Sequence, residues 1–411
     1  LGDVYKRQVD LLGQFVSVRA EGIFAVKGRL LVHAEHRCGV GARRIILQDR
    51  NIPIHLQKAL QILLVFQPEI LAQKDGTVML IGLGQQIQIA FLRRGGLLGI
   101  PTETVYGLGA DGLNGEACRK IFAAKGRPAD NPLILHISEK EEILPLTSGL
   151  SPMAEKLMEA FWPGPMTLIV PKSDRIPEVV TAGQETVAVR FPSNPVARAL
   201  IRLTGRPLAA PSANKSGKPS PTNAQDTLVD MDGRLPLILD GGESAVGVES
   251  TVVAVTGEHP MILRPGYVTK EQMEAVLGEE VLVNHAILEK LKDGEVARSP
   301  GMKYKHYAPK ADVTILKGSF DAYRDYIAAH AGDGVWALCF DGEEAQLPVP
   351  AISYGKEGDG ISEAHNLFTV LRELDRKGAK TVYARCPLSD GVSMAVYNRL
   401  IRAAAFRVVE V

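Results

Sequence analysis

The chain reads as an α/β protein built in two units, and three features of the sequence predict this. Short apolar runs of strand length alternate with stretches of helical periodicity. Proline and glycine, 25 and 40 of 411 residues, stand at nearly every join. A less patterned stretch, 279–311, divides the first alternation from a second and smaller one.

In chain order, residues 90–96 read as the tail of a helix and 97–100, Leu-Leu-Gly-Ile, as a short apolar strand. That strand delivers Thr102, Glu103, Thr104 and Tyr106 into a loop that Gly107 and Gly109 are expected to close. Residues 116–125 predict a helix with Ala117, Ile121, Phe122 and Ala124 on its apolar face, ended by Gly126 in the left-handed conformation. Arg127, Pro128 and Asn131 follow in a cationic loop that Pro128 and Pro132 stiffen. A guanidinium beside the Lys125 ammonium suits a polyphosphate or a carboxylate, although a solvated loop after a helix uses the same residue types. The next strand, 133–137, carries His136.

Further strands are predicted at 167–170, 186–190, 208–210, 237–239 and 251–255, with helices at 152–161, 195–203 and 270–277. Phe161, Trp162 and Met166 read as core and turn residues. In the second unit, strands at 313–316, 335–340, 381–385 and 407–411 alternate with helices at 320–331, 362–377 and 393–405, which argues for a small parallel α/β sandwich. No G-x-G-x-x-G occurs there, so a nucleotide site in that unit does not follow.

With 45% apolar and 23% charged residues the chain can bury a sizeable core, enough for two domains. No apolar run approaches membrane-spanning length. Cys38, Cys118, Cys339 and Cys386 are scattered without C-x-x-C spacing, which fits a reducing cytoplasm better than a disulfide framework or a zinc site. His33 and His36 beside Cys38 lack further ligands at metal spacing. The net charge is zero, but residues 1–94 hold 13 Lys/Arg against 7 Asp/Glu, leaving 34 against 40 for residues 95–411. Nucleic acid would need a local basic patch on so mildly acidic a body.

The motifs PTETVYGLG (101–109), KGRPADNPL (125–133), FWPGPMTLIVPK (161–172), VAVRFPSN (187–194), APSANKSGKPSPT (210–222), GVESTVV (247–253) and ILRPG (262–266) resemble, in this order, those of the Sua5/YrdC family of threonylcarbamoyl-AMP synthases. SPGMKYKHYAPKA (299–311) is similar to the linker of the longer, Sua5-type members. The resemblance runs from about residue 90 to the end of the chain and implies a YrdC-like twisted-sheet catalytic domain over 90–278. A linker over 279–311 that folds across the active site and a smaller Rossmann-like domain over 312–411 would follow. Residues 1–89 depart from the family's strand–helix–strand opening. The expectation is that some or all of 1–85 come from a mis-assembled or wrong-frame reading, with one strand and one helix of the catalytic domain missing or imperfectly replaced. A genuine basic appendage is the competing reading.

The activity the resemblance implies is condensation of L-threonine, bicarbonate or CO2, and ATP into threonylcarbamoyl-AMP and pyrophosphate, for t6A modification of tRNA. Such a reaction needs positioning and charge neutralisation more than a strong base. By resemblance, Thr104, His136, Arg190, the backbone at Ala210 and Ser250 contact threonine. Arg127, Asn131, Thr186, Ser212, Ser220, Arg264 and Tyr307 contact ATP, with Tyr304 second to Tyr307. Lys125, Arg127 and Arg190 are the cations assigned to catalysis. Mg2+ would arrive with ATP, with Glu249 and Asp240 as outer partners, and other proteins would pass the threonylcarbamoyl group to tRNA. Two readings stand beside this one. An RNA-binding maturation module would use the basic N-terminal segment, and a carbamoyl-transfer relative of the hydrogenase-maturation type is disfavoured by the lack of an acylphosphatase-like segment.

Overall fold

The computed structural model describes residues 89–287, 289 and 307–411, together with the backbone of three short strands farther upstream. Those strands, β1 (Ile23–Val26), β2 (Arg29–Val32) and β3 (Ile45–Leu47), continue the edge of the first sheet. The sheet goes on through β4 (Leu98–Ile100), β5 (Gly107–Asp111), β6 (Ile134–His136), β7 (Met166–Pro171), β8 (Thr186–Arg190) and β9 (Leu208–Ala209). Its remaining strands are β10 (Leu237–Leu239), β11 (Thr251–Ala254), β12 (Met261–Arg264) and β13 (Leu282–Val283). The spatial order, β1-β2-β3-β10-β4-β5-β9-β6-β8-β7-β11-β12-β13, mixes parallel and antiparallel pairs. Among the described residues, the helices that accompany it include α1 (Gly115–Lys125), α2 (Pro152–Phe161), α3 (Glu178–Thr181), α4 (Pro195–Thr204), α5 (Ala224–Met231) and α6 (Lys270–Leu277).

Local chemistry explains α1. Asn114 accepts from the amides of Glu116 and Ala117, both at 3.1 Å, and so caps the start. At the other end Gly126 adopts φ 64° and its amide closes on the Ala123 carbonyl, as the sequence predicts. The buried stripe of Ala117, Cys118, Ile121 and Phe122 faces the sheet. Trp162 and Met166 are core residues, the indole N–H donating to the Met166 carbonyl at 2.8 Å.

Gly107 and Gly109 correct the sequence reading. Neither has positive φ and neither closes a turn; both lie inside β5. A Cβ on Gly107 would stand 3.2 Å from the Ala210 methyl, and one on Gly109 3.4 Å from the Leu98 carbonyl. The glycines serve the close approach of neighbouring chain, a use of glycine that strands share with turns.

The second unit is the expected parallel sandwich. Its five strands, β14 (Asp312–Lys317), β15 (Val335–Cys339), β16 (Ala351–Ser353), β17 (Thr381–Arg385) and β18 (Val408–Glu410), lie in the order β16-β15-β17-β14-β18 and pair in parallel throughout. Alternation along the strands sends Ile315 and Leu338 to one face, against α8 (Gly360–Arg376) and α9 (Ser393–Ala403). Leu316, Ala337 and Cys339 go to the other, against α7 (Phe320–Ala329). Covered on both faces, the strands are apolar where a one-sided sheet would alternate with polar residues. The core under α8 and α9 also takes in Val105, Val246 and Val248 from the first unit, so the two units share buried apolar surface.

Candidate active site

Thr102 organises the turn after β4. Its Oγ1 accepts from the amides of Thr104 (3.2 Å) and Val105 (3.3 Å) and donates to the Val105 carbonyl at 2.6 Å. That proton being spent, the 2.9 Å contact between the two threonine hydroxyls is donated by Thr104. Thr104 Oγ1 also accepts from Arg190 Nη1 at 2.7 Å. What remains to it is a lone pair, so its natural partner in the cleft is a donor such as an amine or a hydroxyl.

Arg190 ends β8 and is 4% exposed. Its Nη2 meets the buried Glu103 carboxylate at 2.5 Å and its Nε the Gly164 carbonyl at 3.3 Å. Burial alone would push the Glu103 carboxyl up. The Arg190 guanidinium and the Ser193 amide outweigh that and hold it below the ordinary carboxylate value. Three of five guanidinium N–H groups are thereby committed and the others are left for an anion beside Thr104.

His136 ends β6, opposite Leu208 of β9. Its Nδ1 lies 3.2 Å from the Ile134 carbonyl. Burial, aided by the Arg190 charge, pulls its pKa down to about 3, so the ring is neutral around pH 7. Below the ordinary value of 6.5 the unfolded chain takes up a proton that the folded ring refuses. Acidification from about pH 6.5 towards 3 therefore removes stability, and above 6.5 this ring adds no pH dependence. His136→Asn is expected to flatten that acid slope in urea denaturation measured against pH. An unchanged slope would mean that the ring ionises within the fold.

The opposite wall is built from loops. After β9, the segment 210–222 runs along β5: the amide of Leu108 donates to the Pro211 carbonyl at 2.7 Å and that of Ala213 to the Tyr106 carbonyl at 2.8 Å. Ser250 precedes β11, its hydroxyl 2.8 Å from that of Thr167. Arg264, at the end of β12, donates to the Ser250 carbonyl at 3.1 Å and to its hydroxyl at 3.2 Å. Tyr307 enters from the end of the linker at φ 63°, its ring 5.2 Å from that of Phe368, and burial pushes its phenol up.

These groups enclose a cleft of about 570 Å3, counting its open mouth. Thr104, Arg127, His136 and Arg190 line one side. Ala210, Ser212, Ser250, Arg264 and Tyr307 line the rest. Sequence reasoning placed Thr102 in this loop without assigning it a site role, and it gave Glu249 only an outer role although this carboxylate also lines the cleft.

Four expected site residues are placed elsewhere. Lys125 stands apart most clearly: its amine is buried behind the wall, donating to the Ser212 carbonyl, the Asn214 carbonyl at 2.9 Å and Asn214 Oδ1 at 3.3 Å. These three oxygens accept from it, so in this structure the side chain holds the 210–222 loop. Ser220 is fully buried and donates to Glu249 Oε1. Asn131 gives its carbonyl to Arg127 Nη2 at 2.8 Å and supports that side chain from outside the cleft. Thr186 stands at the far end of β8 beside Pro171, about 13 Å along the strand from Arg190. Lys303, Tyr304, Lys305 and His306 of the linker, and Cys38 with His33 and His36, lie outside the described residues.

Among the described residues, no group of three or more His, Cys, Asp or Glu could hold a metal ion. Both Glu249 oxygens are engaged, by Ser220 and by Arg399 Nε at 3.1 Å. Burial would push that carboxyl up, yet Arg399 and Arg264 hold it below its ordinary value. Asp240 Oδ1 accepts from the Gly242 amide at 3.0 Å and does not line the cleft.

A family model for Sua5, YciO and YrdC proteins, described as Telomere recombination, matches residues 90–266. A second, described as Threonylcarbamoyl-AMP synthase, C-terminal domain, matches 268–405. The chain is 44% identical over 336 residues to the threonylcarbamoyl-AMP synthase of Pyrococcus abyssi, a match spanning 79% of this chain and 95% of that one. It is 44% identical over 324 residues to the threonylcarbamoyl-AMP synthase of Bacillus subtilis, spanning 78% and 92%. The crystal structure of P. abyssi Sua5 complexed with L-threonine superposes with a TM-score of 0.74 at 42% identity, covering 80% of this chain and 96% of that one.

Proposed function

The chain belongs to the Sua5/YrdC family of threonylcarbamoyl-AMP synthases, and from that premise we propose that its cleft condenses L-threonine, bicarbonate-derived CO2 and ATP into threonylcarbamoyl-AMP and pyrophosphate for t6A modification of tRNA. The observation that carries this reading is the convergence of Arg127, Arg190 and Arg264 on one cleft in which, among the described residues, the one lining carboxylate, Glu249, is already neutralised by Arg399. Such a cleft favours polyanions and an amino-acid carboxylate.

The threonine amine adds to the carbon of CO2 and loses a proton, giving a carbamate. A carbamate oxygen then attacks the α-phosphorus in line, and pyrophosphate leaves with the electrons of the broken P–O bond. The two uncommitted Arg190 N–H groups suit the threonine carboxylate, while Thr104 accepts from its amine or hydroxyl. Neutral His136 adds a polar group without a charge that would repel the amine. Arg127 and Arg264 face the phosphates, where charge moves toward the leaving group. Magnesium is assigned to ATP itself, as the MgATP substrate. Proteins that transfer the threonylcarbamoyl group to tRNA are the partners this product requires. No helix among the described residues is long and apolar enough to cross a membrane, and Cys118, Cys339 and Cys386 are free thiols, in keeping with a cytoplasmic setting.

The test is pyrophosphate release by the purified chain with MgATP and each of the twenty amino acids, with and without bicarbonate. Release that requires both threonine and bicarbonate is expected; release with another amino acid, or without bicarbonate, overturns the reading.

A further inference from the structure

Among the described residues, Tyr307 is the one beyond 278 that lines the cleft. Yet α9 sends Arg399, fully buried, across to the wall of the cleft. Its Nε donates to Glu249 Oε2 at 3.1 Å, its Nη2 to the Glu249 carbonyl at 3.1 Å, and its Nη1 to the Pro265 carbonyl. Glu249 is the residue before Ser250, and Pro265 the residue after Arg264, so one guanidinium grips both chain segments that present those two side chains. Glu249 Oε1 meanwhile takes the Ser220 hydroxyl, which ties in the 210–222 loop as well. From α8, Arg372 holds the same loop at the Pro219 carbonyl and pairs with buried Asp230 at 2.9 Å.

Burying a guanidinium is costly unless its N–H groups are satisfied and its charge is matched. The fold meets that cost here next to the cleft, and with a planar fork that an ammonium could not reproduce. We propose that Arg399 is a positioning residue of the synthase site: by fixing the carbonyls of Glu249 and Pro265 it sets where Ser250 and Arg264 meet the substrates. By pairing with Glu249 it also keeps that carboxylate from repelling ATP. The second domain is on this account part of the active site. The inference rests on the reading given under Proposed function.

Three variants separate positioning from mere counter-charge. Arg399→Met leaves Glu249 unpaired in the cleft wall and is expected to lower the melting temperature, raise KM for ATP and lower kcat, each kinetic change about tenfold or more. Arg399→Met with Glu249→Gln removes the stranded charge, so the melting temperature and KM for ATP should recover while kcat stays about tenfold down, because neither carbonyl is held. Arg399→Lys keeps the charge and should spare KM for ATP while still lowering kcat. Recovery of kcat in the double variant to within about twofold overturns the proposal, as does an unchanged kcat in Arg399→Met. Hydrogen exchange of the amides at 250–252, 264 and 266 supplies a readout that needs no turnover. Faster exchange in the double variant at wild-type melting temperature is expected, and unchanged exchange counts against positioning. Should the wild-type chain release no threonine-dependent pyrophosphate while exchange and ATP affinity still shift as stated, the functional reading fails and the anchoring of the wall by Arg399 stands.

Discussion

Arg190→Ala is expected to abolish threonine-dependent pyrophosphate release and to destabilise the fold by about 3–5 kcal/mol, the cost of removing one partner of a buried ion pair. Both effects come from the same geometry. Glu103 is 9% exposed and its carboxylate, 2.5 Å from Arg190, would be left with only the amides of Ser193 and Asn194. The Thr104 hydroxyl would lose the donor that fixes its orientation. Urea denaturation should separate the two losses. Adding Glu103→Gln to Arg190→Ala removes the stranded charge and should recover most of the stability without any activity. Arg190→Lys keeps the charge but cannot serve Gly164, Thr104 and Glu103 together, so it should fold better than the alanine variant and remain a poor enzyme. An active Arg190→Ala protein would remove this residue from the site.

Gly247→Ala should be nearly as damaging although it touches no substrate. Gly247 has φ 85°, a conformation that costs a residue with a side chain about 1–3 kcal/mol. Beyond that strain, a Cβ there would lie 2.4 Å from the Ala364 carbonyl and 2.5 Å from His365 Cα, both backbone atoms of α8. Helix and loop must separate, and the loop is the one that continues into Glu249 and Ser250. Gly278→Ala is the control: φ is 74° and a Cβ there meets nothing within 4 Å, so only strain is added. The expected result is a larger fall in melting temperature for Gly247→Ala than for Gly278→Ala, with activity lost only in the former. Equal effects would show that the approach of the two units at this point carries no energy.

The two experiments probe parts of the molecule that were unequally legible in the sequence. The helix ending at Gly126 and the strand carrying His136 could be read directly, because a left-handed glycine and a strand-length apolar run are local chemistry, whereas the turn at Thr102 was expected to be closed by Gly107 and Gly109. Lys125 shows where such reading stops. Its place after a helix and before Arg127 is compatible with either a ligand contact or a structural one, and only the arrival of Ser212 and Asn214, 87 and 89 residues away, decides between them. Thr186 lies off the cleft's lining for a simpler reason. Alternation gives the face of a strand, and the cleft spans only one end of β8.

By itself the sequence determined the alternating α/β pattern, the two units, and the cations and hydroxyls gathered in motifs along the chain, since each is set by interactions within a few residues. The tertiary structure alone decided that Arg190 is held by Glu103, that Lys125 is spent on a loop, and that Arg399 closes the wall from a second domain 150 residues beyond its partner. The physical reason is that a buried charge takes its role from whichever groups satisfy it, and those are brought to it by packing, from parts of the chain that no local pattern connects.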